Sequence, residues 1–184
     1  MNAKFRKRWN NVQQRKILLA IKCQTRSEKK SNGALARELY RVTGVDLLNV
    51  PGVDTNTALG FIAEVGVDMS KWATAKHFTS WLGLSPNNKI SGGKVLSSRT
   101  KRTGSPASTK LRLSASTLYR SECWLGAFLR RMKAKAGAPQ GITAAARKQA
   151  VLLYTMLRTG QEYKEAGGDY YEKQHQEKAL LSLK

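Results

Sequence analysis

The stretch VDLLNVPGVDTNTALGFIAEVG, residues 45–66, sets the fold of this chain. A short apolar helix is predicted to reach a Pro-Gly turn at residues 51–52, and a second helix to run from Thr55 or Asn56. The apolar residues of this second helix fall on one face: Ala58, Phe61, Ile62 and Val65. This order of elements predicts a helix-hairpin-helix at residues 46–66.

Two interpretations of this hairpin remain open from its residues. A V-P-G-V turn would expose backbone N–H groups at the start of a helix, where the helix dipole also favours a phosphate oxygen. Gly52 would then allow a phosphate to approach the turn closely. An ordinary pair of antiparallel helices without any DNA contact would have the same pattern. The positive charge that flanks the hairpin favours the nucleic-acid interpretation.

Helical patterns continue on both sides of the hairpin, and they predict an all-α domain behind an N-terminal linker helix. We expect residues 1–43 to form the linker, as a coiled-coil remnant without a sustained heptad, and residues 44–184 to form the domain. A polar break is expected at residues 24–33, and a Ser/Gly-rich loop with a small hairpin around Gly92-Gly93 at residues 85–105. The predicted helices span residues 3–22, 34–42, 74–84, 105–135, 143–160 and 169–184.

Local signals predict where several of these helices begin and end. N-caps are expected at Thr74, at Ser105 followed by Pro106, and at Thr143. The helix from Ser105 should continue to about Lys135, because Gly137 and Pro139 are expected to stop it. The following helix, residues 143–160, should end at Gly160. The large apolar residues expected in contact with the core include Phe78, Trp81, Leu82, Leu84, Leu111 and Leu113.

The charge of the chain points to a polyanionic partner. The sequence has 33 Lys and Arg residues against 12 Asp and Glu, for a formal net charge of +21, and between Asp68 and Glu162 the only acid is Glu122. Such crowding of like charge opposes folding, so nucleic acid is the first candidate partner, an anionic membrane surface the second, and a merely soluble basic protein the third. No apolar run is long enough to cross a bilayer, and the basic N-terminus lacks the apolar segment of a secretory signal. We therefore expect a cytoplasmic protein without membrane contact.

The residues that usually bind metals are scattered. Cys23 and Cys123 are far apart without a CxxC spacing, and His77 and His175 are isolated. The carboxylates Asp46, Asp54, Glu64 and Asp68 lie on or beside the hairpin, where they are expected to cap helices or face solvent. The sequence therefore predicts neither a metal site nor a cofactor in this chain, and no G-x-S-x-G motif suggests a serine hydrolase.

The stretch NNKISGGKVLSSRTKRTGSPASTKLR, residues 87–112, combines hydroxyls, glycines and cations without a single acid. A serine in such a loop can attack a phosphodiester if glycines allow close approach and cations stabilise the phosphoryl charge. The same residues also suit a flexible loop whose lysine contacts phosphate and whose serine only caps the backbone or faces water. The loop holds no evident base for the hydroxyl proton, so its residues alone favour the second interpretation.

Three linked segments carry a resemblance to a known family. They are LLNVPGVDTNTALGFIAEVG, KHFTSWLGLSPNNKISGGKVLSSRTKR and the segment that begins KLRLSASTLYRSECWLGAFLRRMKAKAG. In this order, and from about residue 44 to the end, they resemble the C-terminal half of the insertion-sequence-one-ten family of transposases. Several motifs match together, so the resemblance is more specific than a single glycine pattern.

The resemblance implies a DNA-transposing enzyme whose C-terminal domain supplies a serine nucleophile. Carried over by position, the nucleophile is Ser91, followed by Gly92, Gly93 and Lys94. The residues expected to contact nucleic acid are Gly52, Lys89, Gly92, Gly93, Lys94, Arg99, Lys101, Arg102, Lys110 and Arg112. The resemblance further implies an N-terminal RuvC-like domain whose DEDD carboxylates bind Mg²⁺, assembly into oligomers, a structured guide RNA, and a place at the nucleoid of a bacterial cell.

This sequence also departs from the family pattern. No DEDD domain precedes the matching half, since Met1 falls within the expected linker, and Ser97 and Ser98 lie near a position where many members have glycine. We therefore expect the serine-bearing half of a transposase that lacks its RuvC-like domain and is inactive alone. The alternatives are a non-catalytic helix-hairpin-helix module, either a truncated relic or a regulator, and a basic RNA-binding structural protein.

Overall fold

The computed structural model describes residues 28–101 and 104–164, and helices form most of this part of the chain. Its six α-helices are α1 (Glu28–Thr43), α2 (Thr55–Val65), α3 (Ala75–Trp81), α4 (Pro106–Thr117), α5 (Trp124–Ala136) and α6 (Ala138–Thr159). Short 3₁₀ turns lie at Leu47–Asn49, Met69–Lys71 and Leu118–Arg120. One antiparallel hairpin pairs β1 (Lys89–Ser91) with β2 (Lys94–Ser97). The predicted all-α class is confirmed, whereas the helices predicted at residues 3–22 and 169–184 lie outside the described residues.

Three predicted helix starts follow from side chains that cap the first free N–H groups. The Asp54 carboxylate accepts from the Thr57 N–H at 2.9 Å at the start of α2. The Thr74 hydroxyl accepts from the His77 N–H at 3.3 Å at the start of α3. Ser105 does the same for the Ser108 N–H of α4 at 3.1 Å, and Pro106 takes the first helical position. These predictions are confirmed because a cap depends only on residues within one turn.

The core lies where α6 packs against α3, α4 and α5. Small residues of α6, namely Ala145, Ala146 and Ala150, are fully buried and allow the neighbouring helices to approach closely. Phe78 of α3 is also fully buried, with its ring centroid 5.5 Å from that of Tyr154. Burial of one such ring stabilises the fold by about 1.5–3 kcal/mol, so this aromatic contact holds α3 and the hairpin that follows it against α6.

The single helix predicted from Ser105 to about Lys135 is wrong. α4 ends at Thr117, a 3₁₀ turn follows, and α5 begins at Trp124. At the break, Gly126 lies so close to the preceding turn that a Cβ there would meet the Ser121 carbonyl oxygen. The Cys123 sulfur accepts from the Gly126 N–H at 3.3 Å and caps the new helix.

Two further boundaries also differ from the prediction. α1 begins at Glu28, inside the expected break at residues 24–33. α6 begins directly after Gly137, whose φ of 87° reverses the chain, and Pro139 lies in its first turn. Thr143 is therefore an interior residue whose hydroxyl donates to the Pro139 carbonyl at 2.9 Å, and is not an N-cap. In the first turn of a helix the missing N–H of proline costs nothing, because the N–H groups there have no helical partner. Pro139 therefore lies at the start of α6, although we expected it to end the preceding helix.

Two residues expected in the core are exposed. Trp81 remains 46% exposed at the end of α3, and Leu113 remains 64% exposed on α4. Trp81 nevertheless contacts the core from its edge, since its ring lies 5.1 Å from that of Trp72. Spacing along a helix predicts a face, but it does not predict how far the neighbouring helices cover that face.

Two glycine substitutions in helices should have opposite effects on stability. Gly126→Ala should destabilise the protein by roughly 1–3 kcal/mol, because the new Cβ would press on the Ser121 and Leu118 carbonyls at 2.3 and 2.8 Å. Gly33→Ala should stabilise it by about 0.5–1 kcal/mol, since Gly33 lies within α1 with nothing within 4 Å of the added methyl. Urea denaturation measures both, and changes of the same sign would contradict this packing.

Candidate nucleic-acid interface

The predicted small hairpin around Gly92-Gly93 is present, and Ser91 stands at its tip. Ser91 pairs with Lys94, so Gly92 and Gly93 form a two-residue turn. Their φ angles of 54° and 76° are both positive, as the type I′ turn of a tight hairpin requires. Ser91, both glycines and Lys94 are exposed, and the Ser91 hydroxyl has no hydrogen-bond partner among the described residues. The hairpin thus presents a free hydroxyl between two lysine-bearing strands.

The base of the hairpin is fixed to the helical domain. Pro86 pairs with Thr100 as an isolated bridge, and the Asn87 N–H donates to the Arg99 carbonyl at 3.1 Å. One residue earlier, the hydroxyls of Ser85 and Thr79 share a hydrogen bond of 2.9 Å, and Thr79 is fully buried in α3. The hairpin therefore projects from a rigid support, which gives its tip a defined place relative to the helices.

The hairpin also exposes apolar side chains. Ile90 is 63% exposed and Leu96 is 70% exposed, although aliphatic side chains on a sheet normally pack against something. A two-stranded hairpin has little stability of its own in water. These features are typical of a projection that is covered when its partner binds.

Four of the predicted cations lie exposed on or beside the hairpin: Lys89, Lys94, Arg99 and Lys101. None of them forms an ion pair with a carboxylate in the part of the chain that the structure describes. Their charges are therefore available to an anionic partner rather than consumed inside the fold. Arg102 lies outside the described residues.

Lys110 and Arg112 have partners within the domain. The Lys110 ammonium donates to the Asn56 carbonyl at 3.0 Å, and its side chain lies against Gly60. These contacts join α4 to α2. The Arg112 guanidinium donates to the Gly83 carbonyl at 3.3 Å, just after α3. Both side chains thus join elements of the fold, and a contact with nucleic acid stays a prediction for each.

The turn at residues 51–52 is held from inside the domain by two polar side chains that sequence reasoning missed. The Gln149 amide of α6 donates to the Pro51 carbonyl at 2.9 Å and to the Ser114 hydroxyl at 2.8 Å. The Ser114 hydroxyl of α4 donates in turn to the Gly52 carbonyl at 2.5 Å. Gln149 is fully buried, and a glutamine among the alanines of α6 was the one signal in the sequence.

This network determines which way the turn presents its N–H groups. The Val53 N–H donates to the Val50 carbonyl at 3.0 Å, and Gly52 has a φ of 81°, as in a type II turn with Pro51 before the glycine. In a trans peptide the C=O and N–H groups point in opposite directions. Since the Pro51 carbonyl points inward to Gln149, the Gly52 N–H points outward, and it has no partner among the described residues.

The helix-hairpin-helix itself stays a prediction. A helix does follow the turn, namely α2, but only the three-residue 3₁₀ turn Leu47–Asn49 precedes it. The carboxylate of Asp54 also occupies the start of α2, where a phosphate would otherwise meet the N–H groups. An outward Gly52 N–H is therefore what this segment offers to a phosphate.

Valine substitutions at two glycines should separate the packing of the 51–52 turn from backbone strain. Gly52→Val should destabilise the protein by roughly 2–5 kcal/mol, because its Cβ would meet Leu118 at 2.9 Å and the Ser114 carbonyl at 3.0 Å, at positive φ. Gly93→Val is the control, since Gly93 also has a positive φ but nothing within 4 Å. Denaturant midpoints measure the difference, and equal losses of stability would show that the inner contacts of Gly52 matter little.

A cleft of about 820 Å³ opens between the base of the hairpin and helices α5 and α6. Its apolar wall includes Leu84, Pro86, Phe128, Met132 and Val151. Three cations also line it: Arg99, which the sequence singled out, and Arg147 and Lys148, which it did not. Arg147 and Lys148 are adjacent to the buried Gln149, so both the cleft and the inner network depend on the same turns of α6.

The described residues show neither a metal-binding cluster nor a membrane span. Within residues 28–101 and 104–164, no group of three or more His, Cys, Asp or Glu side chains is arranged to hold a metal ion. In the same part of the chain, no helix is long and apolar enough to cross a membrane.

Comparison with known proteins shows that this part of the chain is similar to a known family. The model of the family described as Transposase IS116/IS110/IS902 matches residues 46–127. This segment, somewhat less than half of the chain, is similar to the transposase family. The matched residues run from just before the 3₁₀ turn Leu47–Asn49, through the whole β-hairpin, to the first turn of α5.

A curated relative agrees with this assignment. An insertion element IS110 uncharacterized 43.6 kDa protein of Streptomyces coelicolor is 29% identical over 119 residues. The alignment covers 64% of this chain but only 29% of that protein, so the chain spans less than a third of the relative's length. The resemblance to the transposase family is thereby confirmed, and the activity of a whole transposase belongs to the proposal that follows.

Proposed function

We propose that this chain acts in DNA transposition as the DNA-binding, serine-bearing part of an insertion-sequence transposase. The observation that carries the proposal is the place of Ser91. It stands exposed at the tip of a fixed hairpin, beside a two-glycine turn and between Lys89 and Lys94. The family match over the same residues supports this assignment.

The geometry of the hairpin suits attack on a backbone phosphate. The two glycines present no side chain, so a phosphodiester can approach the tip closely. The Ser91 oxygen would bond to phosphorus while the bond from phosphorus to one sugar oxygen breaks, leaving a phosphoserine and a free DNA hydroxyl. Lys94, which pairs with Ser91 across the turn, would stabilise the negative charge on the phosphoryl oxygens.

A proton must leave Ser91 and another must reach the departing sugar oxygen. No described side chain bonds to the Ser91 hydroxyl, so we propose that the base comes from a RuvC-like domain on a longer or separate chain. The family resemblance implies that such a domain binds Mg²⁺ through its carboxylates. The described residues do not offer such a set, so this chain supplies the nucleophile and the cations.

The nucleic acids and the assembly belong to the same proposal. Exposed lysines and arginines bind phosphates of DNA and RNA alike, so the hairpin surface is suited to the DNA ends and to a structured guide RNA. Ser91 of one subunit would meet the carboxylates of another, so the proposed active form is an oligomer.

A second candidate function is a nucleic-acid-binding module without chemistry. The unpartnered hydroxyl of Ser91 and the outward Gly52 N–H both suit simple phosphate binding. This module would bind the same DNA and use the same cations, but it would form no covalent bond. Binding alone therefore does not distinguish the two functions.

Reconstitution distinguishes them. The chain is combined with a RuvC-like domain of the family, the ends of the element, the cognate RNA and Mg²⁺, and the products are separated under denaturing conditions. A protein–DNA adduct that survives denaturation is expected in the complete mixture and absent when the RuvC-like domain is omitted. Binding without any adduct in the complete mixture would favour the non-catalytic module. Much stronger competition by RNA than by DNA at matched salt would favour an RNA-binding protein.

A further inference from the structure

We propose that the cleft between the hairpin base and helices α5 and α6 holds one unstacked nucleotide of the bound nucleic acid. This inference rests on the proposed nucleic-acid function, and it adds a specific site for a base to the phosphate contacts of the hairpin. The cleft volume of about 820 Å³ lies within the usual range of pockets that enclose small organic groups.

The wall of the cleft suits the flat face of a base. Phe128 and Met132 lie one turn apart on α5, and Val151 faces them from α6. Phe128 is only half buried, so part of its ring is open to the cleft. Stacking of a base on an aromatic ring is tolerant of sequence and is a common device for holding single nucleotides.

The rim of the cleft suits the phosphates of the same nucleotide. Arg99, Arg147 and Lys148 line it, and none of the acidic residues that the structure describes does. The Lys148 ammonium lies 5.8 Å from the centre of the Phe128 ring, so a cation and an aromatic face stand side by side. A ligand that combines a flat apolar ring with negative charge matches both features, and a nucleotide is such a ligand.

The chemistry of the rim also argues against other occupants. An amphipathic helix of a protein partner would need acidic residues placed opposite all three cations to avoid leaving them unpaired. A second copy of this chain is itself strongly basic, with 33 Lys and Arg residues against 12 Asp and Glu, so its net charge would repel these cations. The cleft therefore fits a nucleotide better than another basic protein surface.

The place of the cleft relates it to the proposed reaction. Arg99 at its rim and Lys94 at the hairpin tip are five residues apart along the strand β2 and its continuation. Extended chain rises about 3.3 Å per residue, so the rim lies roughly 16 Å from the tip. A nucleotide in the cleft would thus lie several positions along the strand from the phosphodiester at Ser91.

A pair of DNA duplexes tests this proposal. One duplex carries a single bulged 2-aminopurine, and the other is fully paired and has the same number of phosphates. We expect the wild-type chain to bind the bulged duplex at least 5-fold more tightly and to change the fluorescence of the 2-aminopurine. Stacking of one base supports a difference of this size.

Three variants assign the preference to the cleft. Phe128→Leu removes the ring but keeps an apolar side chain, and Arg147→Gln removes one rim charge; each should reduce the preference at least 3-fold. Arg131→Gln removes an exposed charge of α5 that does not line the cleft, and it should weaken both duplexes equally. Arg147→Gln keeps the test valid if Phe128→Leu fails to fold.

Three results would each contradict either the nucleotide site or the proposed nucleic-acid function on which it rests. Equal wild-type affinity for the two duplexes, or a preference that both cleft variants keep, would overturn the nucleotide site alone. Self-association that the cleft variants abolish, measured by sedimentation without any DNA, would replace the nucleotide by a second protein copy. Failure of the wild-type chain to bind either duplex would instead overturn the proposed nucleic-acid function.

Discussion

The affinity of this chain for B-DNA is expected to fall on the order of 100-fold when salt rises from about 50 mM to about 200 mM. Each neutralised phosphate contributes about −0.9 to the slope of log K against log salt concentration. If Lys89, Lys94, Arg99 and Lys101 each contact one phosphate, the slope should be about −4 or steeper. These side chains are exposed and make no ion pair with the described carboxylates, so counterions are available for release.

Single charge removals show whether the hairpin carries this effect. Lys94→Gln should make the slope shallower by about 1 and weaken unrelated duplexes alike, since a phosphate contact carries no sequence information. Lys71→Gln is the matched control, because Lys71 is exposed on a 3₁₀ turn that packs near the C-terminal half of α6. Fluorescence anisotropy over a salt series measures each slope. A wild-type slope near zero, or equal effects of the two variants, would contradict the hairpin interface.

Ser91→Ala is expected to abolish the covalent protein–DNA adduct in the reconstituted reaction completely. No other described hydroxyl stands at the tip beside the two-glycine turn, so no other group should replace the lost nucleophile. DNA affinity should change by less than about 5-fold, because one hydroxyl contributes only about 1 kcal/mol to binding. The fold should be unaffected, since Ser91 is exposed and unpartnered among the described residues.

Two neighbouring serines provide the controls for this substitution. Ser97→Ala and Ser98→Ala should both keep the adduct, because these residues lie toward the hairpin base rather than at its tip. Denaturing gels of the three variants, run beside anisotropy titrations, give both quantities at once. Loss of the adduct in Ser98→Ala with retention in Ser91→Ala would show that the motif was aligned wrongly.

The parts of the fold that the sequence predicted well depend on neighbouring residues. The type I′ turn at Gly92-Gly93 needs two residues with positive φ, and few pairs other than glycines supply them. The starts of α3 and α4 need a hydroxyl three residues before the N–H that it caps. Such signals lie within one turn and can be read directly from the sequence.

The parts that the sequence did not predict depend on distant residues. The Pro51 carbonyl accepts a hydrogen bond from Gln149, 98 positions away in the chain. The sequence near either residue does not predict this contact. The break before Gly126, by contrast, involves only the nearby residues Leu118, Ser121 and Cys123, and it was missed because the apolar spacing favours one long helix.

The features of the candidate site likewise differ in whether they depend on neighbouring or on distant residues. The place of Ser91 at an exposed tip followed from the glycines beside it, and the positive charge followed from composition. The cleft did not, because Arg99 and Arg147 come together only when the hairpin base packs beside α6. A basic composition predicts that a polyanion binds, but it cannot say which cations share a surface.

Mass-spectrometric mapping of the protein–DNA adduct tests the central claim most directly. The reconstituted reaction is digested with protease and nuclease, and the peptide that retains a phosphorylated nucleotide remnant is sequenced. The account predicts this remnant on Ser91, within the hairpin peptide ISGGK at residues 90–94. A remnant on any other residue, or a denaturation-resistant adduct that persists in Ser91→Ala, would contradict it.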